Sequence, residues 1–105
     1  MAIETKKTGD GKVIVIVDTN LDRADSANAF KEVLRELYEE GEKEIVLDLG
    51  HVKMIDSNGI GKILMFYKRF SEIGGSLYYL APLEGLVKEI FDNLLLTKLL
   101  KEYQM

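Results

Sequence analysis

Short runs of strand-forming residues alternate along this chain with longer segments of helical periodicity. Val13 to Val17 is an unbroken β-branched run, which indicates a strand buried on both faces of a sheet. From Ala27 to Leu37, apolar residues instead recur at three- and four-residue intervals, which predicts an amphipathic helix. The whole order is strand, strand, helix, strand, helix, strand, helix. It predicts an α/β fold with a largely parallel sheet, because strands joined through helices pair in parallel by right-handed crossovers.

Turn and cap residues predict the element boundaries in the first half of the chain. The turn at 9–11 joins an edge strand at 3–6 to the buried β-branched run, as a hairpin. Asp25 or Ser26 is the predicted N-cap of the first helix, and Gly41 its predicted stop.

The second half of the chain follows the same alternation. Its predicted elements are a strand at 44–49 centred on 45–47, a helix from near Ser57 to Ile73 closed by Gly74-Gly75, and a strand at 77–80. Pro82 suits the first turn of a third helix. A short final strand or turn is predicted in the tail at 97–105, around 99–100. The sheet is therefore expected to be mixed but mostly parallel, with four to five strands and three to four helices.

Length and composition limit the classes of protein that this chain can belong to. One domain over residues 1–105 fits the length, and a net charge of −4 without a basic cluster argues against direct nucleic-acid binding. The absence of cysteine excludes disulfides and thiolate metal sites. No secretory signal is visible in residues 1–12, and no apolar run approaches the roughly 18 residues of a membrane span. We therefore expect a cytoplasmic protein without membrane insertion.

Residues suited to catalysis or to cofactor binding are scarce. His51 is the one histidine, with no neighbouring serine or cysteine in a triad-like context. The run Gly59 to Lys62 fails the P-loop pattern, because Asp56 stands where the first glycine belongs and Ile63 follows the lysine. We expect no catalytic residues, no metal, no cofactor and no enzymatic activity.

The segment 56–61, Asp-Ser-Asn-Gly-Ile-Gly, joins a loop to the second helix. Ser57 at this junction has two interpretations. It is a helix N-cap, or it is a phosphorylation site that benefits from the unpaired N–H groups and partial positive charge of a helix start. A phosphate there would add about −1.5 to −2 charge units beside Asp56 and would repel an acidic or apolar partner.

Helical periodicity places Ser57, Gly61, Met65 or Leu64, and Lys68 along one side of the second helix. In one interpretation, this side of the helix is a partner surface: Gly61 permits the close approach of a partner backbone, and Met65 is an exposed apolar contact. The alternative is that Gly61 packs inside against a strand and Met65 is an isolated surface residue.

The segment 55–61 resembles the D-S-[ST]-G-[LI]-G signature of STAS domains, specifically of bacterial anti-sigma factor antagonists, with Asn58 at the Ser or Thr position. The strand-like run 44–49, the Leu21-Asp22 pair and the glycine pair 74–75 are also similar to that family. The similarity covers about residues 3–103. It implies a single-domain STAS-like fold.

The resemblance also implies a function in bacterial signalling and transcription regulation by partner switching. Such an antagonist, when unphosphorylated, binds an anti-sigma factor that is also a serine kinase, and so frees the sigma factor. The kinase uses its bound ATP to phosphorylate the serine, and a serine phosphatase reverses the modification. Carried over, Ser57 is the phosphoacceptor, and the other implied partner-binding residues are Asp22, Asp56, Asn58, Gly59 and Gly61, joined by Met65 from the helix face.

Two alternative functions fit the sequence. In the first, the chain is a STAS subunit with a constitutive interface, in a transporter or in a stress-signalling complex, without a phosphoswitch. In the second, it binds a nucleotide or another small ligand, although no phosphate-cradling loop is evident.

Overall fold

A computed structural model describes residues 2–105 as a five-stranded sheet with four helices. The elements in chain order are β1 (Ile3–Lys7), β2 (Val13–Val17), α1 (Ala24–Glu39), β3 (Glu44–Asp48), α2 (Ser57–Glu72), β4 (Ser76–Leu80), α3 (Gly85–Asn93), α4 (Leu96–Leu99) and β5 (Lys101–Tyr103). No helix among residues 2–105 is long and apolar enough to cross a membrane.

The strands lie side by side in chain order, from β1 to β5. β1 pairs antiparallel with β2, and every later pair is parallel, which confirms the prediction of a mixed, mostly parallel sheet. Each crossover advances one strand in the same direction. Right-handed crossovers that all step the same way place their helices on one face, and the result is a two-layer domain.

The core lies between the sheet and these helices. Its largest fully buried side chains include Phe30 from α1, Phe66 and Phe70 from α2, and Phe91 from α3. They pack against the alternate strand residues that point toward the helices, namely Val13, Val15, Val17, Ile45, Leu47, Leu77 and Tyr79.

The opposite face of the sheet is closed by polar and aromatic side chains. Ile14 and Val46 are buried on this face, outside the main core cluster. The Lys12 ammonium group lies 5.4 Å from the ring centroid of Tyr78 and 5.6 Å from that of Tyr103. β2 is therefore covered on both sides, as its β-branched sequence predicts.

Three predicted boundaries are wrong. α1 begins at Ala24 with Arg23 as its N-cap, and the Ser26 hydroxyl donates to the Arg23 carbonyl oxygen at 3.1 Å. Neither Asp25 nor Ser26 is the cap. Pro82 does not open the third helix, because Glu84 is still extended (φ −138°, ψ 160°) and α3 starts at Gly85. The final strand starts at Lys101, just after the predicted 99–100.

Candidate functional site

The loops that follow β2 and β3 are hydrogen-bonded to each other where the parallel strands end. The N–H of Leu21 donates to the Met54 carbonyl oxygen at 2.8 Å, and the N–H of Asp56 donates to the Leu21 carbonyl oxygen at 3.1 Å. The Asn20 side-chain oxygen accepts from the N–H groups of Lys53 and Met54 at 2.9 and 3.1 Å. These contacts bring the segment before Asp22 against the segment before Ser57, although the two lie more than thirty residues apart.

Asp56, and not Ser57, caps α2. The Asp56 carboxylate accepts from the N–H of Asn58 at 2.9 Å and from the N–H of Gly59 at 3.4 Å. It also accepts from the Asn58 side-chain amide at 3.3 Å. The interpretation of Ser57 as an N-cap is therefore wrong: Ser57 is the first helical residue, and it is exposed.

At Gly59 the start of α2 approaches the backbone of the loop that follows β2 closely. A Cβ atom there would lie 2.8 Å from the Ile55 Cγ1, the Leu21 Cβ and the Leu21 carbonyl oxygen. A Cβ on Gly61 would meet nothing within 4 Å. Gly61 therefore does not pack inside against a strand, and the tight contact belongs to the junction between the two loops.

An apolar groove of about 400 Å³ lies beside Ser57. It is lined by Ile55, Asp56, Ser57, Ile60, Ile90, Asn93 and Leu94. Ile90 is half-buried and Leu94 is 54% exposed, so the apolar wall contributed by α3 and its C-cap is accessible from solvent. The groove places a hydroxyl group at the rim of an apolar surface.

A sequence profile of the STAS domain matches residues 2–104 of this chain. This chain belongs to the STAS domain family. The match confirms the resemblance noted at segment 55–61 and extends it over almost the whole sequence.

Several solved structures share this fold. A proposed anti-sigma factor antagonist of Thermotoga maritima is 28% identical, with a TM-score of 0.84 over 98% of this chain and 86% of the other. An anti-sigma factor antagonist of Mycobacterium paratuberculosis is 20% identical, with a TM-score of 0.77 over 96% and 85%. The Bacillus cell fate determinant SpoIIAA, in its phosphorylated form, is 16% identical, with a TM-score of 0.74 over 97% and 91%. The last two likenesses concern the fold.

In this STAS domain, most of the predicted site residues lie around the start of α2. Asp22 follows the bridge between Leu21 and Ile55, and Asn58 is exposed beside its Asp56 partner. Gly61 is exposed one turn after Ser57.

Met65 does not fit the prediction of an exposed contact. It is half-buried and packs against the core, whereas its neighbour Leu64 is 39% exposed. The groove residues Ile90 and Leu94 were absent from the predicted site. Their spacing of four in the apolar stripe of α3 is the sequence signal that could have found them.

A second cavity, of about 580 Å³, lies at the carboxyl ends of β3 and β4. It is lined by residues 48–50, 52–53 and 80–86, which include none of the predicted site residues. Among residues 2–105, no group of three or more histidine, cysteine, aspartate or glutamate side chains is arranged to hold a metal ion.

Proposed function

We propose that this STAS domain is a cytoplasmic anti-sigma factor antagonist. It binds an anti-sigma factor that is also a serine kinase, and phosphorylation of Ser57 ends that binding. The position of Ser57 carries the proposal. Asp56 caps α2, so the exposed Ser57 hydroxyl is not needed as a cap, and it lies at the rim of an apolar groove. The Thermotoga maritima likeness supports the class of partner.

The first turn of α2 is suited to accept a phosphate without unfolding. A helix start exposes N–H groups and a partial positive charge, which stabilise an anion. In the modification, Ser57 Oγ forms a bond to the γ-phosphorus of ATP, ADP leaves and the hydroxyl proton is released. The phosphoprotein is expected to keep its fold.

The groove explains why the same phosphate would end binding. A partner that fills the groove removes Ile60, Ile90 and Leu94 from water, and this burial is favourable. A phosphate at the rim must then be desolvated beside an apolar surface and beside the Asp56 carboxylate, which disfavours the complex. Ser57 is in this proposal a substrate of its partner, and the domain is a binding module without catalysis of its own.

Intact-mass analysis after incubation with ATP and the candidate anti-sigma kinase tests the modification. We expect one added phosphoryl group on the native protein and none on Ser57→Ala. Ser71→Ala is the matched control, because Ser71 is an exposed serine near the opposite end of α2. A kinase that binds the protein but adds no phosphoryl group, or adds it equally to Ser57→Ala, contradicts the proposal.

Binding of the same kinase tests the groove and the switch. We expect Ser57→Ala to bind and Ser57→Asp to bind at least about tenfold more weakly. Leu94→Ala should also lose about tenfold in affinity, because the leucine contributes buried apolar area. Leu99→Ala is the control, since Leu99 is similarly exposed (43%) but does not line the groove. Equal affinity of Ser57→Ala and Ser57→Asp refutes the switch and favours a constitutive interface.

A further inference from the structure

The outer edge of β1 carries regularly spaced hydrogen-bonding groups that no strand among residues 2–105 pairs with. The Asp18 N–H donates to the Ala2 carbonyl oxygen at 2.6 Å, and the Thr8 N–H donates to the Lys12 carbonyl oxygen at 2.8 Å. The even-numbered residues of β1 therefore direct their backbone groups toward β2. In an antiparallel ladder the intervening residues point the other way. The N–H and C=O groups of Ile3, Thr5 and Lys7 thus face outward.

We propose that two copies of this chain associate through β1, antiparallel about a twofold axis at Thr5. Ile3 of one copy then lies opposite Lys7 of the second copy, and Thr5 lies opposite its own counterpart. These are the residues whose backbone groups face outward, so all three pairs can form hydrogen bonds in both directions. The two sheets become one continuous sheet, and the interface is isologous, as a twofold dimer requires.

The charges on β1 complement each other in this register. Glu4 of each copy lies opposite Lys6 of the other, at a non-hydrogen-bonded site where side chains approach most closely. Two symmetric ion pairs result, both on the face of the sheet away from the helices. Opposite charges at directly opposed positions stabilise a strand pair.

The neighbouring registers are disfavoured by the same residues. The hydrogen bonds between the two strands form only in registers that place Ile3, Thr5 and Lys7 opposite one another. One copy of β1 can therefore slip along the other only by two residues at a time. A shift in one direction brings Glu4 opposite Glu4, and a shift in the other brings Lys6 opposite Lys6. Like charges directly opposite each other destabilise strand pairing. The charge sequence therefore selects one register, whereas a strand protected only by lysines would repel every copy of itself.

The helix-bearing side of the same edge offers a second contact. An apolar groove of about 380 Å³ lies there, lined by Ala2, Ile3, Thr19, Asp25, Ser26, Ala29 and Val33. In the proposed register, Lys7 of the second copy lies opposite Ile3 at this groove. The Lys7 ammonium group lies 3.2 Å from the Glu42 carboxylate of its own copy, so the part of the side chain that can cover apolar surface is its aliphatic stem.

The proposed dimer leaves the Ser57 site free. The groove beside Ser57 is lined by no residue of β1 or α1, and β1 is two strands removed from β3, which leads into α2. Self-association and binding at Ser57 are therefore independent, and either can fail without the other.

Sedimentation equilibrium of the full chain at concentrations up to about 1 mM measures the association. We expect the weight-average mass to rise from 11.9 kDa toward twice that value. A mass that stays monomeric at the highest concentration overturns the proposal.

Charge reversal tests the interface itself. Glu4→Lys and Lys6→Glu should each raise the dissociation constant about tenfold, because each converts two attractive pairs into two repulsive ones. The double variant, Glu4→Lys with Lys6→Glu, restores the attraction and should recover native affinity. All these positions are exposed, so folding is expected to persist. A dimer that responds to neither single variant, or a double variant that is not rescued, overturns the proposed register.

The native chain contains no cysteine, so a single introduced cysteine provides an independent measure of the register. Opposed residues at a hydrogen-bonded site have Cα atoms about 5.5 Å apart, within the span of a disulfide. Thr5→Cys should therefore form a covalent dimer on mild oxidation. Glu4→Cys is equally exposed, but its two copies are offset along the strands and should link far more slowly. Equal rates for the two variants would indicate random collision and would overturn the assignment.

Discussion

Substitution of alanine for Gly59 and for Gly61 adds the same methyl group at two positions of α2, with opposite expected effects on stability. At Gly59 the new Cβ would lie 2.8 Å from three atoms, including the Leu21 carbonyl oxygen. That oxygen is held by the Asp56 N–H at 3.1 Å, and Leu21 is fully buried. Neither the backbone nor the side chain can move away without breaking a contact.

The expected magnitudes follow from the two environments. Overpacking of a buried site costs about 1–3 kcal/mol, and the helix propensity of alanine returns at most about 1 kcal/mol. We expect Gly59→Ala to lower the free energy of unfolding by about 1–2 kcal/mol. Gly61 is exposed in the helix interior, and its Cβ would meet nothing. Gly61→Ala should therefore raise the free energy of unfolding by about 0.5–1 kcal/mol.

Urea unfolding followed by circular dichroism measures both variants against the native protein. For a domain of this size, a change of about 1 kcal/mol corresponds to about 4–8 °C in Tm, so thermal scans should separate the pair clearly. If Gly59→Ala is neutral or stabilising, the junction between the loops is not tightly packed and the reasoning fails. The same conclusion follows if both variants shift stability equally.

Two further predictions concern α2 capping and the covered face of the sheet. Asp56→Ala should lower the free energy of unfolding by about 0.5–2 kcal/mol, because the helix loses its cap. Ser57→Ala should change that free energy by less than about 0.5 kcal/mol. Equal losses for the two variants in urea unfolding would contradict the assignment of the cap. The Tyr78 hydroxyl donates to the Glu44 carboxylate at 2.6 Å, and this hydrogen bond, with burial, raises the pKa of Tyr78. Because the folded-state pKa lies above the unfolded value of about 10, the stabilisation is present below pH 10 and is lost as pH rises through the folded value. Tyr78→Phe should therefore lose stability less steeply as the pH rises above about 10 in urea unfolding, and identical slopes would refute this contribution.

The start of α2 shows where prediction from the sequence succeeded and where it stopped. The helix was predicted to run from Ser57 to Ile73, and it runs from Ser57 to Glu72 with Ile73 as its C-cap. The roles of individual residues at that start were less predictable. Asp and Ser both cap helices well, and only the backbone geometry shows that the cap is Asp56.

The groove beside Ser57 depends on two segments that the sequence does not relate. Residues 55–60 and residues 90–94 belong to different helices and loops, and both line the groove because the fold places the end of α3 beside the start of α2. The helical stripe of α3 shows that Ile90 and Leu94 are apolar on one side. It does not show that Leu94 is left 54% exposed, because exposure depends on which neighbours cover it.

By itself, the sequence determined the alternation of strands and helices, the mixed, mostly parallel sheet, the helix start at Ser57 and the resemblance to STAS domains. These properties follow from local periodicity, turn residues and a contiguous motif, which are all readable within a short window. Only the tertiary structure decided which glycine of α2 is tightly packed, which residue caps α2, and which apolar side chains border Ser57. Each of these depends on contacts between segments distant in the chain, and the local sequence does not encode the distances between them.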